Sequence, residues 1–225
     1  MGAMSEIAKI AGEADWASDA EARVLAEALT LAPDLGWTWA MAYRAGAAAG
    51  LSAGETELLL PGGPRDLAAL HSRACDAAAM AALADVDPKS LKIRQRIRRG
   101  ALARLDAAMA AEAATRRWAG FLALPMHAGL GLRLVWESAD TIWHWAGDTA
   151  TDENHYSKRA LLAGILAGTL LVRLAQDQAA AETHLDHRIE AVMTFERFKG
   201  RVGKLGIGGM AAGALGRLRY GVLRG

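Results

Sequence analysis

The sequence predicts an all-α protein, and three observations support this. Ala, Leu, Glu, Arg and Met, which favour helices, dominate the chain up to residue 197. Runs of alternating β-branched residues, which would indicate strands, are absent there. The five prolines and the paired glycines separate the predicted helices. With 225 residues, 52% of them hydrophobic, the chain is large enough for one well-buried core or for a core with a small appended unit.

Three short helices are predicted first, and longer helices follow. Asp19 can cap a helix that continues to Ala32, with Pro33 ending it. A second helix is expected at about 38–49, and Ser52 can cap a third that reaches about Leu60. Longer helices are expected at roughly 65–84, 88–111, 113–124, 127–146, 154–177 and 178–196.

This order of helices resembles the plan of TetR-type regulators, in which a helix-turn-helix head precedes a helical ligand-binding body. In such a head, a glycine ends the second helix and a small polar residue two positions later caps the third. Gly50-Leu51-Ser52 fits this spacing. We therefore expect a head at 19–66, a body at 67–196 and a basic, apolar tail at 197–225. The tail holds seven cations and no acidic residue.

The charge of the head argues against DNA binding. The candidate recognition helix, residues 52–60, carries Glu55 and Glu57 and no basic residue, and residues 37–66 have a net charge of −1. Basic side chains that contact phosphates provide most of a protein's non-specific affinity for DNA. Because this helix has none, we expect no nucleic-acid partner. A ligand-responsive transcriptional repressor remains the alternative function. The basic run at 92–99 is interpreted as a solvated surface.

No catalytic or metal-binding pattern is visible in the sequence. His184 and His187 are three residues apart, but no Glu-x-x-His motif provides ligands from a second helix. We expect no catalytic residue, cofactor or metal ion. Cys75 is the only cysteine, which fits a reducing compartment, and nothing at the N-terminus resembles a targeting peptide.

The most informative segment is Trp143-His144-Trp145-Ala146-Gly147-Asp148, followed by Thr151-Asp152 and the residues through Ala163. This segment resembles the signature of the COQ9 family of ubiquinone (coenzyme Q) biosynthesis accessory proteins. Weaker similarity covers most of 20–196. The resemblance implies a TetR-like fold, a homodimer, an apolar lipid pocket, and a supporting role beside the di-iron enzyme that hydroxylates demethoxyubiquinone. It implies no catalysis by the chain itself.

The resemblance also implies where partners bind. The hydroxylase-binding surface would include Asp152, Asn154, His155, Tyr156 and Arg159, of which we expect Tyr156 and Arg159 to be exposed. Some family members have Trp where this chain has His155, which reduces the apolar contact area. For an isoprenoid or other lipid, the candidate pocket residues are Trp136, Ile142, Trp143, Leu162, Ile165, Leu166 and Thr169.

The tail is expected to contact membranes. Its cations can attract anionic headgroups, and its apolar side chains add shallow burial. The candidate residues are Lys199, Arg201, Lys204, Arg217 and Arg219. The expected location is cytoplasmic and peripheral, on the inner face of the cytoplasmic membrane.

Overall fold

The computed structural model describes residues 2–148 and 153–204, and for residues 2–15, 153–154, 193 and 195–204 it describes the backbone alone. Over these residues the protein is all-α, as predicted, with no strand. Two short 3-10 turns, at Pro88–Ser90 and Pro125–His127, connect longer helices. The helices are α1 Gly2–Leu35, α2 Trp39–Ala48, α3 Ala53–Leu59, α4 Pro64–Ala82, α5 Ile93–Met109, α6 Glu112–Leu122, α7 Ala128–Trp145, α8 Glu153–Ala175 and α9 Gln178–Lys204.

The bounds of α1 differ from the prediction at both ends. The helix begins at Gly2 rather than near Asp19, and it continues through Pro33 to Leu35. A proline removes only its own N–H from the helix, and the amide of Gly36 still donates to the Ala32 carbonyl at 2.9 Å. Gly36 then ends the helix with a φ of +65°, a conformation that suits glycine.

The turn between α2 and α3 forms where the sequence predicts it. Gly50 has a φ of +83°, and Ser52 and Glu55 form a reciprocal capping box at the start of α3. The two helices approach closely at Gly46, where a Cβ atom would lie 2.8 Å from Cγ2 of the buried Thr56. These contacts are consistent with a helix-turn-helix head, and the TetR-like arrangement remains a prediction.

Two clusters of buried side chains organise the helices. The first joins α1, α2, α4, α6 and the beginning of α7, and it contains Trp37 and Trp118. Both indole N–H groups are satisfied, Trp37 by the Ala114 carbonyl at 3.2 Å and Trp118 by the Ala68 carbonyl at 3.0 Å. The second cluster joins α5, the end of α7, α8 and α9. Helix α7 therefore contributes to both clusters.

Exposed ion pairs link α5 to α9. Arg94 contacts Glu190 at 2.7 Å, and Arg98 contacts Glu182 at 3.0 Å and Asp186 at 2.6 Å. These contacts balance part of the basic run at 92–99 with carboxylates. Arg94 and Arg98 therefore belong to a charge-balanced surface, whereas Arg96 of the same run is half-buried and donates to the Leu91 and Ala146 carbonyls.

Within the part of the chain that the structure describes, no single helix is both long and apolar enough to cross a membrane. The segments Glu112–Leu122 and Pro125–Trp145 meet the criteria of length and composition only when taken together, and they are bent by 94° at the break between them.

Candidate functional site

The end of α7 and the beginning of α8 are joined by a buried arginine. Arg159 is only 1% exposed, so the expectation that it lies on the surface is wrong. Its guanidinium donates to the carboxylate of Asp140 on α7 and to Asp148 just beyond α7, the latter at 3.2 Å. It also donates to the His155 carbonyl at 3.2 Å. Arg159 is buried because these acceptors replace the water that its charge would otherwise need.

Lys158 reinforces the same junction from its exposed side. Its ammonium group contacts Asp148 at 2.7 Å and lies 5.4 Å from the Trp143 ring centroid, while the Trp143 indole donates to the Lys158 carbonyl at 3.1 Å. Burial alone would raise the pKa of Asp148. The hydrogen bonds from Lys158 and Arg159 outweigh that effect, and the pKa lies below its ordinary value. Asp148 is thereby held as a carboxylate between two cations.

An exposed aromatic surface lies at the beginning of α8. Tyr156 is 65% exposed, as predicted, and its ring lies 6.2 Å from the Trp136 ring and 5.1 Å from the His155 ring, measured between centroids. Trp136 and His155 are half-buried. The surface formed by these three residues, here called the aromatic surface, adjoins the buried ion pairs of Arg159. It offers apolar area that the fold itself leaves in contact with water.

For several predicted site residues the structure describes only the backbone, or the residue lies outside the described ranges. Asp152, Arg217 and Arg219 lie outside the residues that the structure describes. Asn154, Lys199, Arg201 and Lys204 fall at helix positions for which only the backbone is described. The roles suggested for these residues remain predictions.

A first cavity, of about 370 Å³, lies between α5, α7, α8 and α9 and is here called the α5–α9 cavity. Trp143, Leu162 and Ile165, three of the predicted lipid-binding residues, line it. Its rim is polar, since Arg94, Arg96, Asp148 and Lys158 also contribute. Arg96 donates to the Ala146 carbonyl at 2.7 Å and so holds the end of α7 against α5.

A second cavity, of about 420 Å³, lies among α4, α5, α6, α7 and α8 and is here called the α6–α8 cavity. Its volume is within the range of about 300–1,000 Å³ typical of small-molecule sites. Apart from Ser72, Arg104 and Ser138, its lining is apolar. Those three polar residues are buried, whereas Leu132 and Leu171 at the other end are 71% and 61% exposed. The cavity therefore has a polar inner end and an apolar mouth.

Only part of the predicted lipid-binding set lines a cavity. Leu166 lines the α6–α8 cavity. Ile142 instead packs against Gly100, and the buried Thr169 donates to the Ile165 carbonyl at 2.7 Å. Trp136 belongs to the aromatic surface. Sequence reasoning missed Arg104, although it occupies the same helical face as Ile97, Ala101 and Ala108, and an arginine on an apolar face signals a buried polar group.

The described residues contain no group of three or more His, Cys, Asp or Glu side chains arranged to hold a metal ion. In the head, Glu55 is engaged in the α3 capping box and Glu57 accepts a hydrogen bond from Tyr43 at 2.5 Å. Hydrogen bonding by Glu57, followed by burial, raises the pKa of Tyr43, and hydrogen bonds from Ser52 lower the pKa of Glu55. Glu55 therefore keeps its negative charge at neutral pH.

Known proteins match the segment of the chain that carries the aromatic surface and much of the lining of both cavities. Residues 128–196 match the family model described as COQ9. The chain is 40% identical over 78 residues to ubiquinone biosynthesis protein COQ9-A, mitochondrial, of Xenopus laevis, which covers 33% of this chain and 25% of that protein. It is 40% identical over 75 residues to the COQ9 protein of Rattus norvegicus and 36% identical over 75 residues to that of Homo sapiens, covering 32% of this chain and 24% of each relative.

The chain thus spans about a quarter of the length of the curated relatives it matches. These relatives are named as mitochondrial proteins. That finding contradicts the sequence-based expectation of a cytoplasmic location. The expectation rested on the composition of residues near the N-terminus, and these residues lie outside the segment that matches the relatives.

Proposed function

We propose that the protein is a lipid-binding accessory protein of ubiquinone biosynthesis rather than an enzyme, because residues 128–196 match the COQ9 family model. Its ligand is an isoprenoid quinone or a related lipid. The observation that carries this proposal is the α6–α8 cavity, whose walls come largely from α7 and α8 of the matched segment.

The shape of the α6–α8 cavity suits a molecule with a compact polar end and a long apolar tail. The volume of about 420 Å³ accommodates a ring and the first part of a tail. The remainder of the tail would leave through the mouth between Leu132 and Leu171. Apolar side chains continue outside, because Leu124 and Met126 in the nearby α6–α7 connection are exposed. A tail crossing this region would remain in apolar contact.

Binding of decylubiquinone tests the proposal, with quenching of tryptophan fluorescence as the measurement because Trp118 lines the α6–α8 cavity. We expect saturable quenching for the unmodified protein. Val135→Trp, which fills the cavity, should weaken binding at least tenfold. Leu58→Trp is the matched control, since Leu58 is 78% exposed on α3 and lies in neither cavity lining. Equal binding by both variants contradicts the proposal.

The aromatic surface is proposed to bind the di-iron demethoxyubiquinone hydroxylase. Tyr156 is the only large exposed aromatic of the COQ9-matched residues that the structure describes, and exposed aromatic rings are frequent anchors of protein interfaces. Tyr156→Ala should reduce retention of the purified hydroxylase by at least tenfold, with Leu58→Ala as the control. Unchanged retention by the Tyr156 variant would locate the hydroxylase contact elsewhere.

Peripheral membrane contact is proposed for the basic tail. Each cation near an anionic surface contributes about 1 kcal/mol. Removing residues 199–225 should abolish sedimentation with anionic liposomes while the helical circular dichroism signal of the remaining chain persists. Full binding by the shortened chain contradicts this assignment. The acidic face of α3 gives no support to the alternative of a transcriptional repressor, and a gel shift with random duplex at low salt distinguishes the two.

A further inference from the structure

The inner end of the α6–α8 cavity is a built polar site. Arg104 is 7% exposed, and its Nε donates to Asp76 Oδ1 at 2.5 Å and to Ser138 Oγ at 3.3 Å. Its Nη2 donates to Ser72 Oγ at 3.2 Å. A guanidinium has five N–H donors, and these contacts engage two of them. Arg104, Ser72 and Ser138 also line the cavity, so they present donors to whatever occupies it.

The charges at this inner end are balanced. The guanidinium of Arg104 is the only formal charge among the side chains that line the cavity, and Asp76 neutralises it directly. On the same helix as Asp76, the titratable groups that sense the charge of Arg104 are His71 and Cys75. Burial, followed by the charge of Arg104, lowers the pKa of His71 to about 4, and burial raises the pKa of the Cys75 thiol. Both groups are uncharged at neutral pH, which leaves the inner end with a net charge of zero.

The local hydrogen bonds fix the tautomer of the neutral His71 ring. Thr115 Oγ1 donates to the Ala108 carbonyl at 2.7 Å, so it must accept from His71 Nε2, 3.1 Å away. In the neutral ring the other nitrogen, Nδ1, carries no proton, and it lies 3.8 Å from the sulfur of Cys75. His71 adds no positive charge to the region of Arg104.

The free energy of binding at this site should differ between a ligand with a neutral polar end and a ligand with an anionic one. An anion entering a buried site must lose its hydration, and this cost is repaid only by an unbalanced positive charge. Because Asp76 already balances Arg104, an anion would also be repelled by the carboxylate. A carbonyl, ether or ester oxygen has a much smaller cost of desolvation and can still accept from the remaining N–H groups.

We propose that the α6–α8 cavity selects lipids with an uncharged, hydrogen-bond-accepting polar end, such as a quinone ring or an ester, over fatty acids and phospholipids, and that Asp76 sets this preference by neutralising Arg104. This inference rests on the proposed lipid-binding function and specifies its ligand class. Arg104 provides the hydrogen bonds, and Asp76 excludes the anionic competitors that are abundant in membranes.

Two lipids with the same tail test the inference. Methyl oleate and oleate compete with decylubiquinone for the full-length protein at pH 7.5, and recovery of tryptophan fluorescence reports displacement. We expect methyl oleate to bind at least ten times more tightly than oleate. Equal affinity, or tighter binding of oleate, overturns the inference while leaving lipid binding itself established. Failure of decylubiquinone and both competitors to bind contradicts the proposed function instead.

A substitution identifies the residue that sets the preference. Asp76→Asn keeps the shape and removes the negative charge, so oleate should gain about tenfold or more in affinity relative to methyl oleate. Glu112→Gln is the matched control, because Glu112 pairs with Arg116 on the exposed face of α6 and should leave the ratio unchanged. An unchanged ratio in folded Asp76→Asn removes Asp76 from the inference. If this variant does not fold, the comparison of oleate with methyl oleate on the unmodified protein still decides whether the cavity prefers uncharged lipids.

Discussion

Replacing Arg159 with alanine should destabilise the protein strongly, in contrast to replacement of its neighbour Tyr156. Removing one member of a buried ion pair costs about 3–5 kcal/mol, because the remaining charge is left without a partner. Asp148, with a side chain 7% exposed, would lose one of its two cations and keep Lys158, whereas Asp140 is 35% exposed and can be rehydrated. These two features argue for the low end, about 3 kcal/mol.

Urea unfolding followed by circular dichroism measures this cost. For a chain of this size, a loss of about 3 kcal/mol lowers the Tm by roughly 6–12 °C. Tyr156→Ala is the control, since Tyr156 is largely exposed and should change stability by less than about 1 kcal/mol. A loss below about 1 kcal/mol for Arg159→Ala would show that the buried pairs contribute little, and the reasoning would be wrong.

The same junction has a defined pH dependence. The folded-state pKa of Asp148 is lowered, so its ion pairs contribute stability at pH values above the ordinary aspartate pKa. That contribution is lost as the pH falls through the folded-state pKa. Asp148→Asn should therefore weaken the fold at neutral pH and flatten the acid dependence of its stability. An unaltered acid profile in the variant would contradict the role of Asp148.

Three further predictions concern other parts of the fold. Gly46→Ala should cost about 1–3 kcal/mol in urea unfolding, because the added Cβ would overlap the buried Thr56, whereas Gly54→Ala, with nothing within 4 Å, should not destabilise. Since the pKa of His71 is about 4 in the fold against 6.5 ordinarily, the unfolded chain binds a proton first and stability falls as the pH decreases from 6.5 to 4; His71→Phe should flatten this slope, and an unchanged slope would exclude His71 as its source. The homodimer, expected to form through residues 154–196, should appear by light scattering at micromolar concentration, and a purely monomeric species would refute it.

Local chemistry made most of the helices predictable. Ser52 and Glu55 form the capping box that their spacing indicates, and Gly50 ends the preceding turn. The N-terminal bound of α1 was less predictable. Asp19 is a good cap by residue type, but the residues before it also favour helix, and a cap residue within a helix-favouring stretch need not be used.

The sequence allowed the exposure of the aromatic residue of the site to be predicted, but it did not allow the burial of its charged residues to be predicted. Tyr156 is exposed because the opposite face of α8 carries the apolar residues, a pattern visible in the sequence. The burial of Arg159 depends on Asp140 and Asp148, which lie 19 and 11 residues away, and periodicity within α8 carries no information about them. Arg104 is a similar case, since Asp76 and Ser138 belong to other helices.

The ion pairs between α5 and α9 make the attachment of α9 sensitive to ionic strength. The Arg98 side chain is 36% exposed and its partner Asp186 is 49% exposed, so dissolved ions reach both. The Debye length shortens from about 10 Å at 0.1 M salt to about 3 Å at 1 M, which screens such exposed pairs. The pairs of Arg159 are shielded from this effect by burial. Salt therefore weakens the polar contacts along one edge of the α5–α9 cavity, while the buried Leu185 and Ile189 keep α9 in place and the junction between α7 and α8 keeps its ion pairs.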